Sequence, residues 1–332
     1  MNAPSMTMRS LIVGVAMGAA LLSAHASAES LERVARVGFV GAESPSTALR
    51  GVAGFWERLR ELGWVEGQNL VIEQRWAEGQ IDRLPALMNE VVSRNVDVLV
   101  TFSTPAAVAA KNATRTVPIV VASMGDPISA GLTDSLARPG GNLTGLSLGW
   151  GEGIAGKWLE LLQETVAKLS TVAVIFNPKS SLSSSLAQEL AQLAPTRRLK
   201  IRLIPIGKAD APEPAFERAQ CGCQAVLVLS DPFTVHHRQR IVALAARNRL
   251  PGMYGMLEFV DAGGLMAYGV DHAILFRRAA DYVDKILRGA KPADLPIERP
   301  MQFSLAINLK TATALGLKIP QSILLRADEV IR

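Results

Sequence analysis

Short runs of β-branched and apolar residues alternate with helical patterns along almost the whole chain, and this alternation restricts the fold more than any other feature. The run at residues 37–40 precedes a segment in which Val52, Phe55 and Leu59 recur on one helical face. Strands separated by helices of this length predict parallel sheets with right-handed crossovers. Further strands are predicted at residues 70–76, 96–100, 119–122, 172–176, 201–205, 225–229, 253–254, 265–268 and 302–307.

The alternation divides into two successive sets of similar size. It predicts an α/β fold of two similar doubly wound parallel-sheet lobes joined by a hinge. Without the first 28 residues, which have the features of an export signal, the chain has about 300 residues, and this length fits two domains of about 100–200 residues each. Because the chain continues after its second set of strands and helices is complete, we expect it to return to the first lobe. The predicted lobes are residues 33–147 plus 272–299 and residues 148–271 plus 300–332, with a cleft for a small ligand between them.

The first 28 residues have the features of a secretory signal. Arg9 is the only charged residue of the first ten, residues 11–24 are apolar or small, and Ala26-Ser27-Ala28 provides the small residues that a signal peptidase recognises. The apolar run is shorter than the about 20 residues of a membrane-spanning helix, and no cysteine stands near the cleavage point. We predict cleavage after Ala28, a periplasmic location, and no lipid anchor or stable membrane insertion of the mature chain.

Charge and cysteine content restrict the classes of partner. The formal net charge is +5, and the basic residues are scattered in ones and twos. A nucleic-acid-binding face would cluster Lys and Arg, so we expect no nucleic acid partner. Cys221 and Cys223 are too close for ordinary disulfide geometry, and without a histidine cluster they predict no metal site. Their redox state stays open, and no cofactor is expected.

Five loops that follow predicted strands share a composition in which Ser, Thr, Asn or Asp precedes a Pro. Ligands of open parallel sheets bind beyond the carboxyl ends of the strands. Amide donors at a helix N-terminus suit a carboxylate, and an Asp across the cleft suits an ammonium, so we expect an amino acid or related small organic solute. Helix capping alone explains any one of these loops. Ordinary core packing explains the two candidate tyrosines, Tyr254 and Tyr268, equally well. The candidate ligand-binding residues are Ser44, Ser103, Thr104, Ser123, Asp126, Asn177, Asp231, Tyr254 and Tyr268.

Residues for catalysis are hard to find. No H-E-x-x-H motif occurs, and the histidines are His25 in the signal, the adjacent pair His236 and His237, and His272. Adjacent residues diverge on a helix, so the pair is poorly placed to share a metal. The sequence therefore favours binding without turnover over a secreted enzyme.

Several long motifs, in order along the chain, resemble the ABC-transporter substrate-binding family that includes tryptophan- and tyrosine-binding lipoproteins. The resemblance covers essentially the whole mature chain. It implies a type 1 periplasmic-binding fold, a membrane permease and its ATPase as partners, and no catalysis. The motifs are WVEGQN at 64–69, ExRWAEG at 73–79, DRLP at 82–85, GDP at 125–127, RPGGNLTG at 138–145, AGGLMxYG at 262–269 and INLKTA at 307–312.

Two departures from the family stand out. Lipid-modified relatives carry a cysteine after the signal, and this chain has none. Where relatives often have small residues ahead of Thr-Pro, this chain has Phe102 beside Ser103, which indicates a reshaped pocket.

The leading hypothesis is an extracytoplasmic, monomeric solute-binding protein of an ABC importer. A ligand-sensing input module for a membrane receptor has the same two-lobed clamp, and the sequence does not separate the two. A sugar-responsive transcription repressor shares the fold but needs a helix-turn-helix where the export signal stands.

Overall fold

The computed structural model describes residues 34–45, 50–149, 153–207, 212–300 and 302–332. The predicted export signal at residues 1–28 lies outside these ranges. Within them, no helix combines the length and the apolar character that crossing a membrane requires.

The first sheet consists of five parallel strands in the order β2-β1-β3-β4-β5. Along β1 and β4, successive side chains point to opposite faces of the sheet and enter two different hydrophobic clusters, Phe39 and Val120 on one face and Val40 and Val121 on the other. The sheet is therefore buried on both faces, as parallel sheets with helical crossovers are. Its strands are β1 (Ala35–Gly41), β2 (Leu70–Trp76), β3 (Val98–Thr101), β4 (Ile119–Met124) and β5 (Leu143–Ser147).

The second sheet has seven strands in the order β12-β11-β10-β9-β8-β6-β7. The stretch from β7 to β10 repeats the relative order of the first sheet, while β11 runs antiparallel to β10. Two parallel-sheet α/β lobes of matching topology result, as the alternation predicted. The strands are β6 (Thr171–Phe176), β7 (Lys200–Pro205), β8 (Ala225–Val228), β9 (Gly252–Tyr254), β10 (Met266–Gly269), β11 (Ser304–Asn308) and β12 (Glu329–Ile331).

One helix shows how the chain moves between the sheets. Immediately after β10 of the second sheet, α10 (His272–Leu287) packs against α1 (Gly51–Glu61) and β4 of the first lobe, and the chain then returns to the second sheet as β11. The lobe boundaries at residues 147, 271 and 299 stay a prediction. The helices are α1 (Gly51–Glu61), α2 (Leu84–Val92), α3 (Thr104–Ala113), α4 (Ile154–Thr165), α5 (Ser181–Leu193), α6 (Glu213–Gln220), α7 (Pro232–His236), α8 (Arg238–Arg247), α9 (Glu258–Asp261), α10 (His272–Leu287), α11 (Leu309–Ala314) and α12 (Gln321–Leu324).

The sequence patterns did not predict β5 and β12. In β5, Gly145 interrupts the apolar pattern, although its φ of 137° and the close approach of the Val121 backbone leave no room for a side chain there. Strand β12 has only three residues, which is too short for a periodicity. The helix predicted at residues 237–248 is α8, and the short helix α7 precedes it.

Candidate functional site

The loops that follow strands of both sheets meet around a cavity between the two lobes. The first lobe lines it with Glu43, Phe102, Ser103, Thr104, Pro105, Ser123 and Gly125, the second with Ser180, Leu182, Ser230, Asp231, Pro232, Val235 and Met256, and Leu148 and His272 come from segments near the crossings.

The first-lobe wall is built around Ser103, between β3 and α3. Its backbone has φ 76° and ψ 150°, a conformation that costs a non-glycine residue about 1–3 kcal/mol. The Ser103 N–H donates to the carbonyl of Ser123 at 2.7 Å, and Thr104 Oγ1 accepts from the Gly125 N–H at 3.0 Å. These bonds hold the N-terminus of α3 at the cavity. The Ser103 hydroxyl itself is buried, and the described residues offer it no hydrogen-bond partner.

The second-lobe wall is built around Asp231, the N-cap of α7. Its Oδ1 accepts from the Thr234 N–H at 2.9 Å, and Thr234 Oγ1 accepts from the Asp231 N–H at 2.9 Å. Asn177 Nδ2 donates to the other carboxylate oxygen. Burial raises the pKa of Asp231 in spite of these bonds. The neighbouring Ser230 hydroxyl is buried without a partner among the described residues.

Glu43 supplies a second carboxyl group to the cavity, from the loop after β1. Its side chain is 2% exposed, and Oε2 has no hydrogen-bond partner in the described part of the chain. Burial raises the pKa of Glu43 to about 8, and the carboxylates of Glu258 and Asp231 contribute in the same direction. The strand-end rule selects this loop, but a single acid in a loop is normally solvated, so Glu43 was not among the predicted residues.

A buried acid–histidine pair lies at the cavity wall, with His272 in the lining and Glu258 next to it. Glu258 Oε1 of α9 is 3.3 Å from Nδ1 of His272, the first residue of α10, without the alignment of a hydrogen bond. Both side chains are almost fully buried. Burial raises the pKa of Glu258, but the attraction of His272 outweighs it, and the net pKa lies below the ordinary value.

A second cleft adjoins the cavity. It shares Pro105, Ser180, Asp231 and Pro232 with the cavity and extends along the loop after β2. The remaining lining residues are Gly79, Ile81, Asp82, Asn177, Lys179 and Phe233.

Comparison with known proteins identifies the family. The model of the family described as ABC transporter substrate binding protein matches residues 37–331, which include both sheets and every loop around the cavity. The chain belongs to this family.

Individual relatives of this substrate-binding protein agree with that result. The tyrosine-binding protein of Clostridioides difficile is 26% identical over 269 residues, 80% of this chain and 76% of the relative. A conserved domain protein from Vibrio cholerae has a TM-score of 0.83 at 27% identity, over 90% of this chain and 100% of that chain. An ABC domain from Streptococcus pneumoniae, solved in complex with L-Trp, has a TM-score of 0.81 at 26% identity, over 90% and 99%.

Some of the residues predicted from the sequence lie together in the substrate-binding protein. Ser103, Thr104, Ser123 and Asp231 all line the cavity. Asn177 lies one step away, because it lines the adjoining cleft and donates to Asp231. The rule that ligands lie beyond strand ends thus selected side chains from both lobes.

The other predicted residues lie away from the lining of the cavity. Ser44 is buried in the loop after β1. Asp126 accepts from the Ile128 N–H at 3.1 Å and from the Ser129 hydroxyl, so its carboxylate closes its own turn. The rings of the two tyrosines stack elsewhere. The ring centroids of Tyr254 and Phe259 are 4.7 Å apart, and those of Tyr268 and Phe303 are 5.7 Å apart.

Two patterns typical of other functions occur near β5. Residues 145–149 read GLSLG and match the G-x-S-x-G pattern of hydrolases. However, Ser147 lies within the strand and its buried hydroxyl donates to the Gly125 carbonyl at 3.0 Å, so it does not form an exposed elbow. Residues 151–156 read GEGIAG, which has the spacing of a dinucleotide fingerprint, but no acid occurs about 20 residues further on, where the chain reads TVAVIFN.

The strained backbone of Ser103 leads to a prediction of opposite effects on stability and binding. Ser103→Gly should raise the free energy of unfolding by about 1 kcal/mol, because glycine adopts positive φ without steric cost. Loss of the hydroxyl should weaken ligand binding about fivefold. Urea denaturation and calorimetry measure the two effects. Ser93→Gly is the control, since Ser93 has φ −65° and should gain no stability. Equal effects of both substitutions on stability would contradict the role of strain.

Proposed function

We propose that this protein captures an amino acid or a related small organic solute outside the cytoplasm and delivers it to the permease of an ABC importer, without chemical turnover. The observation that carries the proposal is the cavity between the lobes. Polar atoms from both lobes, Ser103 Oγ, Glu43 Oε2 and Ser230 Oγ, are buried at it without partners among the described residues. Buried polar groups are normally satisfied, so a polar ligand is the expected partner.

The two walls suit the two ends of an amino acid. The N-terminus of α3 presents backbone N–H groups beside Ser103 and Thr104, which favours a carboxylate. Asp231 and Glu43 favour an ammonium group, and Leu182, Val235 and Met256 provide apolar contacts for a side chain. The tyrosine-binding relative and the L-Trp complex support an amino acid as ligand. Phe102 limits which ligand side chains the cavity accepts, because its ring is held against the ring of Phe276, with 5.3 Å between the ring centroids.

We propose that capture works by closure of the two lobes. A ligand that contacts both walls binds the closed form better than the open form, and this difference in affinity shifts the population towards closure. The closed form then presents the surface that the permease recognises.

Isothermal titration calorimetry of the mature protein against the amino acids and small organic anions tests this function. At least one amino acid should bind, and Asp231→Asn should weaken that binding about tenfold or more, because a charge-assisted hydrogen bond contributes about 1.5–3 kcal/mol. Asparagine is also a good N-cap, so α7 should persist. Asp134→Asn, at an exposed position outside the cavity lining, is the matched control. Absence of binding across the whole panel would overturn the proposal.

A further inference from the structure

The surroundings of the Glu43 side chain indicate no role in stabilising the fold. Its side chain is 2% exposed and borders the cavity, and Oε2 lacks a hydrogen-bond partner among the described residues. Asp231 on the facing wall, by contrast, has both carboxylate oxygens occupied by Thr234 and Asn177. An unpartnered buried carboxyl oxygen is unfavourable, so Glu43 Oε2 gains more from a ligand donor than the oxygens of Asp231, each of which already accepts one hydrogen bond.

The charged groups around Glu43 come from several elements. Arg238 of α8 favours the carboxylate, while Glu258 of α9 and Asp231 at the end of β8 oppose it. His272 of α10 also lines the cavity, and Glu258 faces it. From the loop after β2, exposed Glu78 approaches through its backbone N–H, which donates to the Glu43 carbonyl at 3.0 Å.

This inference rests on the proposed function. We propose that Glu43 directly contacts a positively charged nitrogen of the ligand, and that it releases one proton to the solvent when the ligand binds. The O–H bond of the carboxylic acid breaks, the proton passes to the buffer, and the remaining carboxylate pairs with the cation. The cavity thus selects amine-bearing ligands over the same molecules without the amine.

The protonation state of Glu43 in the unliganded protein supports this coupling between ligand binding and proton release. Burial raises the pKa of Glu43 to about 8, so the carboxyl is mostly neutral at pH 7. A bound cation favours the ionised form, so the proton that burial retained is released. Proton release should therefore be near one at pH 7 and should fall as pH rises above 8.

Calorimetry in buffers of low and high ionisation enthalpy, phosphate and Tris, counts the protons released. The probes are the tightest-binding amino acid of the panel and its desamino analogue, for example L-tryptophan and indole-3-propionate. At pH 7 the amino acid should release about one proton and the analogue should bind at least tenfold more weakly. Glu43→Gln should abolish the release and weaken amino acid binding at least tenfold. Glu66→Gln, at an exposed position, should change neither.

If Glu43→Gln binds the amino acid unchanged and with the same proton release, the inference is wrong while the proposed function stands. If no compound of the panel binds, the proposed function itself fails.

Thermal unfolding without ligand tests the neutral carboxyl independently. Between the ordinary pKa of 4.5 and the folded value of about 8, folded Glu43 keeps a proton that the unfolded chain has lost, so rising pH should destabilise the wild type. The unfolding temperature of Glu43→Gln should exceed that of the wild type at pH 8.5 and match it at pH 4. Parallel pH profiles of the two proteins would overturn the inference whatever the ligand screen shows.

Discussion

Glu258→Gln is expected to lower the free energy of unfolding by about 2–3 kcal/mol, because it leaves the buried imidazole of His272 without the carboxylate that faces it. Glu258 and His272 lie 3.3 Å apart with only 4% and 2% of their side chains exposed, so water does not replace the lost partner. Chemical denaturation at pH 7 measures the change. His272 also borders the cavity, and a shift of its ring should weaken ligand binding as well.

The double variant Glu258→Gln/His272→Gln is the control for this pair. It should be at least as stable as Glu258→Gln alone, because it also removes the buried imidazole that the single variant leaves without its carboxylate partner. Two independent, additive losses would show that the residues are not coupled.

Acid offers a second test of the pair. The pKa of Glu258 lies below its ordinary value of 4.5, so its stabilising contribution is present above that pH and is lost as pH falls through the folded pKa. The difference between wild type and Glu258→Gln should therefore diminish under acid conditions.

Gly269→Ala, at the end of β10, should destabilise the protein by about 2–3 kcal/mol and weaken ligand binding. A Cβ at this position would lie 2.0 Å from the Gly255 carbonyl oxygen and 3.6 Å from the Met256 nitrogen. Backbone has to move to relieve such a contact, and overpacking of this kind typically costs about 1–3 kcal/mol. Because Met256 lines the cavity, the movement should also disturb the second-lobe wall.

Gly141→Ala is the matched control for this prediction. Nothing lies within 4 Å of a Cβ at Gly141, and its φ lies outside the left-handed region. We expect its unfolding free energy and ligand affinity to stay close to those of the wild type. An unfolding curve of Gly269→Ala that coincides with that of Gly141→Ala would contradict the close approach of Gly269 to the Gly255 backbone.

Much of the fold could be predicted because burial leaves a period in the sequence. The helical pattern of α2 is set by Leu84, Leu87, Met88 and Val91, which are buried, and by Val92, which is half-buried; their spacing alone predicts a helix. Strands β5 and β12 escaped prediction for local reasons. Gly145 breaks the apolar run of β5, and pairing with β11, which no local pattern encodes, is what makes residues 329–331 a strand.

Only those site residues could be predicted whose positions follow from the direction of the strands. The carboxyl ends of parallel strands lie at one edge of a sheet, so Ser103 and Asp231 could be identified from strand positions. The orientation of a side chain within its loop could not, and Asp126 bonds to its own turn. Glu43 and His272 become recognisable only when the lobes come together, because their burial depends on residues far away in sequence.

Crystallography of the protein with the tightest-binding compound of the calorimetric panel tests capture between the lobes most directly. We predict ligand density in the cavity bounded by Glu43, Ser103 and Asp231, with polar contacts to both lobes. A ligand bound to one lobe alone, or at another surface with this cavity empty, would contradict it.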